Sequence, residues 1–316
     1  MDGAHAGHIP VLFDEVMGVL NPSDGQVYVD LTAGRGGHAA AVASRVAPRG
    51  RVALFDLDQE NLGYSSARVV RESGITPVAI HGSFVSVGRE LDAIGLRADL
   101  VLADLGFAST QVDDPERGLS FMREGPLDMR LDPTSGMSAE DLVATSSERD
   151  LAELLGRFGE EPLARKIAAK IAAARAVAPI KTTAQLADLV REAYGSRAHA
   201  SRMHPATKTF QALRIAVNDE IGALDALLDS IRRAAERAKD GRPTWLAPRA
   251  RVAIIGFHSL EDRQVKQAFA EMRKSSLVTE IASGAIGPSE SECAANPRAR
   301  SAKLRAVMVD GPVTSA

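Results

Sequence analysis

Between residues 27 and 104 the chain alternates short apolar runs with helical stretches, and each run closes on an acid or a turn. The runs are Val27-Tyr-Val-Asp30, Arg51-Val-Ala-Leu-Phe-Asp56, Pro77-Val-Ala-Ile-His81 and Leu100-Val-Leu-Ala-Asp104. Each has strand length and is rich in aliphatic or β-branched residues. Gly50 marks the turn before the second, and Ala39 to Ser44 starts a helix after the first. Strands separated by helices predict an α/β fold on a parallel sheet.

From about Asp113 to Pro205 no strand-like run recurs. Leu151, Leu154, Leu155 and Phe158 fall at helical spacing, with Ser147 and Asp150 as a capping box before them and Gly159 as a stop. Pro162 opens a second helix with Leu163, Ile167 and Ile171 on one face, and Thr183 opens a third with Leu186, Leu189 and Val190. The stretch reads as an all-helical insertion: residues 1–112 and 209–316 form the sheet-bearing domain, and 113–208 the insertion. One long helix is predicted through Phe210, Leu213, Val217, Ile221, Leu224, Leu228 and Ile231. A strand at Val252 to Phe257, a helix from near Leu260 and a last strand at Lys303 to Val309 follow. Ser283 to Asn296, rich in Gly, Ser, Ala and Pro, is predicted to be a loop.

Gly34, Gly36 and Gly37 follow the first strand, where a missing Cβ lets backbone approach a ligand. Gly34-Arg-Gly-Gly-His-Ala39 also fits a dinucleotide fingerprint, so an NAD-linked oxidoreductase is an alternative. Asp56, 20 residues after Gly36, is placed to take ribose hydroxyls of either ligand. Asp30 discriminates: a carboxylate there repels a pyrophosphate and suits a cation. S-adenosylmethionine carries a sulfonium and an ammonium and no phosphate, and it is the preferred ligand.

In open α/β sheets, ligands sit beyond the carboxyl ends of the strands. Asp104 ends the fourth strand there, with small or polar Gly106, Ser109 and Gln111 beside it; His258 and Ser259 follow the fifth strand. Glu261 and Asp262 are expected to favour the positive start of the next helix. The one cysteine, Cys293, lies outside any strand context, which argues against covalent methylation of a pyrimidine carbon and for transfer to nitrogen. No zinc-ligand cluster or Ser–His–Asp arrangement competes.

The net charge of −3 announces no nucleic acid, but Arg157 to Arg214 holds eleven Lys or Arg against four Asp or Glu. Arg197, Arg202, Lys208 and Arg214, with His199 and His204, form one basic group; Arg298, Arg300, Lys303 and Arg305 form another. Such patches bind phosphates despite an acidic total. A non-catalytic RNA-binding assembly protein is therefore a second alternative. A single cysteine, no signal-peptide pattern and no apolar run near the ~18–20 residues that span a bilayer predict a cytoplasmic protein with no membrane partner.

Gly-Arg-Gly-Gly-His at 34–38, Gln-Val-Asp-Asp-Pro-Glu-Arg-Gly at 111–118, Gly-Pro-Leu-Asp-Met-Arg at 125–130, His-Pro-Ala-Thr-Lys-Thr-Phe-Gln-Ala-Leu-Arg-Ile at 204–215, Phe-His-Ser-Leu-Glu-Asp-Arg at 257–263 and Asn-Pro-Arg-Ala-Arg-Ser at 296–301 resemble the bacterial 16S rRNA (cytosine-N4)-methyltransferase family, also known as MraW. The likeness runs from His8 to about Arg305. It implies a class I S-adenosylmethionine-dependent methyltransferase fold, Rossmann-like, with a mostly parallel seven-stranded sheet and a helical insertion. It implies N4-methylation of a cytosine in the decoding centre, with 16S rRNA in the small ribosomal subunit or its precursor as partner and a homodimer left open. By the same resemblance the cofactor contacts fall on Gly36, Gly37, His38, Asp56, Phe84, Asp104 and Gln111. Asp104 and His258 are the expected catalytic residues, and no metal is expected. The family has Phe where Ala33 stands, Val-Ser-Ser-Pro where Phe107-Ala-Ser-Thr110 stands, and Ser where Gly256 stands.

Overall fold

The structure is a computed structural model and describes residues 10–200 and 204–311. All four early apolar runs form strands: β1 (Val27–Asp30), β2 (Arg51–Asp56), β3 (Val78–His81) and β4 (Ala98–Asp104). With β5 (Leu246–Gly256), β6 (Val278–Glu280) and β7 (Lys303–Val309) they make one seven-stranded sheet in the order β3-β2-β1-β4-β5-β7-β6. The first five strands run parallel, and β7 pairs antiparallel with β5 and with β6. This is the class I methyltransferase sheet that the resemblance implies. The three-residue strand β6 has no counterpart in the sequence reading.

Helices α1 (Phe13–Leu20), α2 (Gly37–Val46), α3 (Gln59–Ser73) and α4 (Val87–Ala93) precede β4 or connect the early strands. Next come α5 (Ser109–Asp113), α6 (Ala139–Thr145), α7 (Glu148–Gly159), α8 (Ala164–Arg175), α9 (Thr183–Tyr194) and α10 (Ala206–Val217). Then α11 (Glu220–Lys239), α12 (Ser259–Lys274) and α13 (Glu290–Ala295) complete the chain. Strand side chains alternate between the two sheet faces. Val29, Phe55, Val101 and Ile254 pack under α4, α11 and α12, while Tyr28, Leu54, Leu102 and Ile255 pack under α1, α2 and α3. α2 presents Ala39, Ala40 and Ala43 to the sheet, so a core poor in aromatics still closes.

The chain forms two compact units, one of residues up to Gly106 and from Gly222 onward, the other Phe107–Ile221. The expected division fell elsewhere: residues 107–112 and 209–221, which the sequence assigned to the sheet-bearing part, lie in the helical unit. For residues 209–221 the reason is that the long helix predicted through residues 210–231 is two helices. The backbone turns left-handed at Asp219 (φ 46°). α10 buries Phe210, Ala212 and Leu213 in the helical core with α7, and α11 buries Leu224, Leu228 and Ile231 against the sheet. Gly159 permits the first of these packings: a Cβ there would stand 2.6 Å from the carbonyl oxygen of Lys208.

In the helical unit Asn218 staples the turn after α10 to the 125–130 motif. Its Oδ1 accepts from Leu131 N (2.7 Å), and its Nδ2 donates to the carbonyl of Met129 (2.9 Å). The segment predicted as a loop at 283–296 contains α13, and Ile286 exchanges two backbone hydrogen bonds with Leu304 of β7. No helix among the described residues is long and apolar enough to cross a membrane.

Candidate cofactor and acceptor site

Strand order reverses between β1 and β4, so the crevice beyond their carboxyl ends is the topological switch point where open α/β sheets bind ligands. Thr32 ties the two ends together, its Oγ1 accepting from the backbone N of Asp104 at 2.6 Å. The glycine loop is tied to β2 in the same manner. Asp56 accepts from Gly34 N through Oδ2 (2.7 Å) and from Asp58 N through Oδ1 (2.8 Å). Each oxygen keeps a further lone pair, so Asp56 both braces the loop and can take hydroxyls.

The glycines divide their labour. Gly36 has φ 71°, and a Cβ there would stand 2.9 Å from Ser65 Cα of α3. A Cβ on Gly37 would stand 2.3 Å from Pro10 Cγ. Only Gly34 (φ 49°) faces open space, its nearest neighbour the Thr32 carbonyl at 3.8 Å. At Gly36 and Gly37 the missing side chain therefore serves close packing of α3 and of the N-terminal segment.

Asp30 corrects an expectation. It is 2% exposed, and its oxygens accept from Tyr28 Oη (2.8 Å) and Thr32 N (3.1 Å). It braces the loop from inside and presents no open carboxylate. Its influence is electrostatic. Burial raises Asp30 to about 6 and Asp56 to about 6; the charge of Asp56 adds a little to the first, and that of Asp58 a little to the second. Burial, then the charges of Asp30 and Glu261, push Asp104 up to about 8. His38, in the first turn of α2, lies with Nε2 3.8 Å from Asp104 Oδ2; burial lowers it to about 4, weakly opposed by the Val11 backbone. Asp104 Oδ1 is buried with no hydrogen-bond partner among the described residues.

This donor set fits S-adenosylmethionine. Crowded, dehydrated acids are relieved by a cation, and a sulfonium or ammonium supplies one; a pyrophosphate would add to the crowding.

His258, expected to contact the acceptor, is the N-cap of α12: its Nδ1 accepts from Glu261 N (3.3 Å). Glu261 returns the cap, its Oε2 accepting from Phe257 N (2.7 Å) and His258 N (3.2 Å). Gly256 makes room, since a Cβ there would lie 3.1 Å from Glu261 Cβ. Glu261 thus favours the helix start as expected, and also acts on Asp104 by charge. Asp262 also lies in the first turn of α12, and it binds Arg305 (2.8 Å) and Lys303 (3.2 Å), which takes the largely buried Arg305 out of the open basic group assigned to the tail.

Phe84 lies just after β3 and packs partly buried against the sheet core. Gln111 belongs to the helical unit, where its Oε1 accepts from Ala108 N (2.8 Å) at the start of α5. Arg214 is also structural: it forms a two-pronged ion pair with Glu220 (2.7 and 2.8 Å) and lies 4.6 Å above Phe107. Lys208 donates to the Glu160 carbonyl, and His204 stacks on Phe121 at 4.5 Å. Arg165 and Lys166 of α8 are exposed. Arg202 and the side chains of Ser109, Arg197 and His199 lie outside the description. Sequence reasoning missed Thr32 as a tie to the Asp104 backbone and the charge of Glu261 as a force on its carboxyl, because each acts only once β1, β4 and β5 are neighbours.

The sequence profile described as the MraW methylase family matches residues 5–309. A protein named ribosomal RNA small subunit methyltransferase H from Geobacter sp. (strain M21) is 41% identical over 95% of this chain and 97% of its own. Its namesake from Anaeromyxobacter dehalogenans is 42% identical over 95% and 97%, and that from Neisseria meningitidis serogroup A is 41% identical over 99% and 96%.

Proposed function

The chain belongs to the MraW methylase family and is an S-adenosylmethionine-dependent methyltransferase, and from that premise we propose that it methylates N4 of a cytosine in the decoding centre of 16S rRNA, in the cytoplasm. The observation that carries the reading is Asp104, a raised carboxyl with an unpaired buried oxygen at the β1/β4 crevice.

S-adenosylmethionine, when bound, supplies an activated methyl group on sulfur. Asp56 takes the ribose hydroxyls, and Gly36, Gly37 and His38 line the loop beside it. Asp104 accepts a hydrogen bond from the exocyclic amine. That amine's lone pair is drawn into the pyrimidine ring, so nucleophilicity requires the N–H to be polarised. As nitrogen gains carbon it must lose a proton, and Asp104 receives it. A carboxyl at about 8 is poised near working pH for that transfer. With the donor held by Asp56 and the glycine loop and the amine held by Asp104, positioning alone can lower the barrier by up to roughly 7–11 kcal/mol. His38 stays neutral and leaves the carboxylate unpaired by charge.

His258 and Glu261, locked in their reciprocal cap, hold the end of β5 rigid beside Asp104. The target base leaves its stack at a cost of a few kcal/mol, less in a loop or single strand. Arg165 and Lys166 contribute to holding the RNA backbone. The chain's cysteine sits in α13 and not at a strand end, which agrees with transfer to nitrogen. The test is mass mapping of 16S rRNA nucleotides from cells with and without this protein. A methyl group should disappear from one cytosine N4. An unchanged map from cells lacking it defeats the proposal.

A further inference from the structure

We propose that Glu292 is a positioning residue for the cofactor pocket, latching a strap formed by residues 10–13 over the glycine loop and His38. The inference rests on the reading that the loop after β1 holds S-adenosylmethionine.

The strap touches that loop twice. Pro10 packs against Gly37 so closely that any Cβ there would clash. Phe13 stacks on His38, ring centroids 6.2 Å apart and planes 14° from parallel. Between them Leu12 is fully buried in a left-handed backbone (φ 54°) that a non-glycine residue adopts only when its surroundings hold it there. One of the things holding it is Glu292 Oε1, which accepts from Leu12 N at 2.7 Å across 280 residues of sequence. A hydrogen bond to a carboxylate is stronger than one between neutral groups.

Glu292 is itself fixed. Ser289 Oγ accepts from its backbone N (3.1 Å) at the start of α13. Ile286 anchors the segment to β7, and Ala299 and Ala302 share one apolar cluster with Val11 and Leu12. A C-terminal segment built on the antiparallel edge of the sheet thus holds down an N-terminal segment that covers the first turn of α2. Release of the latch would free Leu12 to relax, lift Phe13 from His38 and open the loop to water.

The test compares Glu292→Ala with Glu292→Gln, whose amide oxygen can still accept. Glu292→Asp, which keeps the charge and lacks the reach, serves if the alanine variant folds poorly. Amide hydrogen exchange at Leu12 in the ligand-free protein reads the latch directly. Calorimetry with S-adenosylhomocysteine reads the pocket, and steady-state kinetics separate KM for the donor from kcat. In E292A, Leu12 should exchange faster, S-adenosylhomocysteine should bind about tenfold more weakly and the donor KM should rise similarly. Its kcat should stay within about twofold, and E292Q, with a neutral acceptor, should fall between E292A and wild type in exchange and affinity. Wild-type affinity in E292A, or equal losses in E292A and E292Q, overturns the latch. Failure of the wild-type protein to bind S-adenosylhomocysteine would instead overturn the cofactor reading, with Leu12 exchange still reporting whether the latch exists.

Discussion

His38 and Asp104 face each other across 3.8 Å with their protons in the reverse of the usual order: the histidine is neutral above about 4, and the aspartic acid keeps its proton up to about 8. Burial is the main cause in both, because it penalises whichever form is charged. At neutral pH the pair is not an ion pair. Asp104 is left to answer a cation that arrives from outside.

Cofactor affinity should therefore depend on pH. A cationic ligand favours the carboxylate form of Asp104, so binding expels a proton from a group otherwise protonated below about 8. Affinity for S-adenosylmethionine should rise from pH 6.5 to 8, by about tenfold per unit at most, and level off above. Calorimetry in buffers of different ionisation enthalpy counts the proton released. Asp104→Asn should bind more weakly and lose its share of the slope.

Stability of the ligand-free protein should run the opposite way. As pH rises from Asp104's ordinary value of 3.8 towards about 8, the unfolded chain ionises while the folded one keeps its proton. The folded state then binds more protons, and stability falls with pH. Asp30 and Asp56, at about 6, lose their contributions lower in the range, so Asp104 dominates between about 6.5 and 8. Melting temperature should drop across that window by the equivalent of about 1–2 kcal/mol. In Asp104→Asn the drop should be absent, and a drop of equal size there would show that another group is responsible.

The glycine loop should rank its substitutions by what a new Cβ meets. Gly36→Ala sets a methyl 2.9 Å from Ser65 Cα in a left-handed backbone, whereas Gly34→Ala carries only the backbone penalty. The first should cost about 2–4 kcal/mol and the second about 1–2 kcal/mol. Chemical denaturation of both variants checks the order.

Most of the sheet is legible because each strand is a short apolar run closed by an acid or turn, and its helices bury one face at regular spacing. β6 has three residues, too few for a pattern. The break between α10 and α11 is hidden because the apolar spacing runs on through Val217 and Ile221 while the two helices bury different cores. Composition suggested a loop at 283–296, yet Ser289 caps a helix there. At the site, Asp56 and Asp104 are readable as strand-end acids. The tie from Thr32 to Asp104 and the capture of Arg305 by Asp262 depend on strand neighbours far apart in sequence, which periodicity does not encode.

Two sets of basic residues should separate on mutation. Arg214→Gln breaks a largely buried ion pair with Glu220 and should destabilise the helical unit by about 3–5 kcal/mol. The pair Arg165→Gln and Lys166→Gln, exposed on α8, should leave melting unchanged. It should weaken binding to small-subunit particles and lower the salt slope by roughly one to two. Filter binding across a salt series distinguishes the sets, and an unchanged slope would remove α8 from the RNA-facing surface.

The central claim is tested most directly by identifying the product. Purified protein is incubated with labelled S-adenosylmethionine and small-subunit particles from cells lacking it, and the digested 16S rRNA is resolved into nucleosides. The label should appear in N4-methylcytidine from a single site, and Asp104→Asn should yield almost none. Label in a ring-carbon methylcytidine, in another base or in no nucleoside would contradict the account.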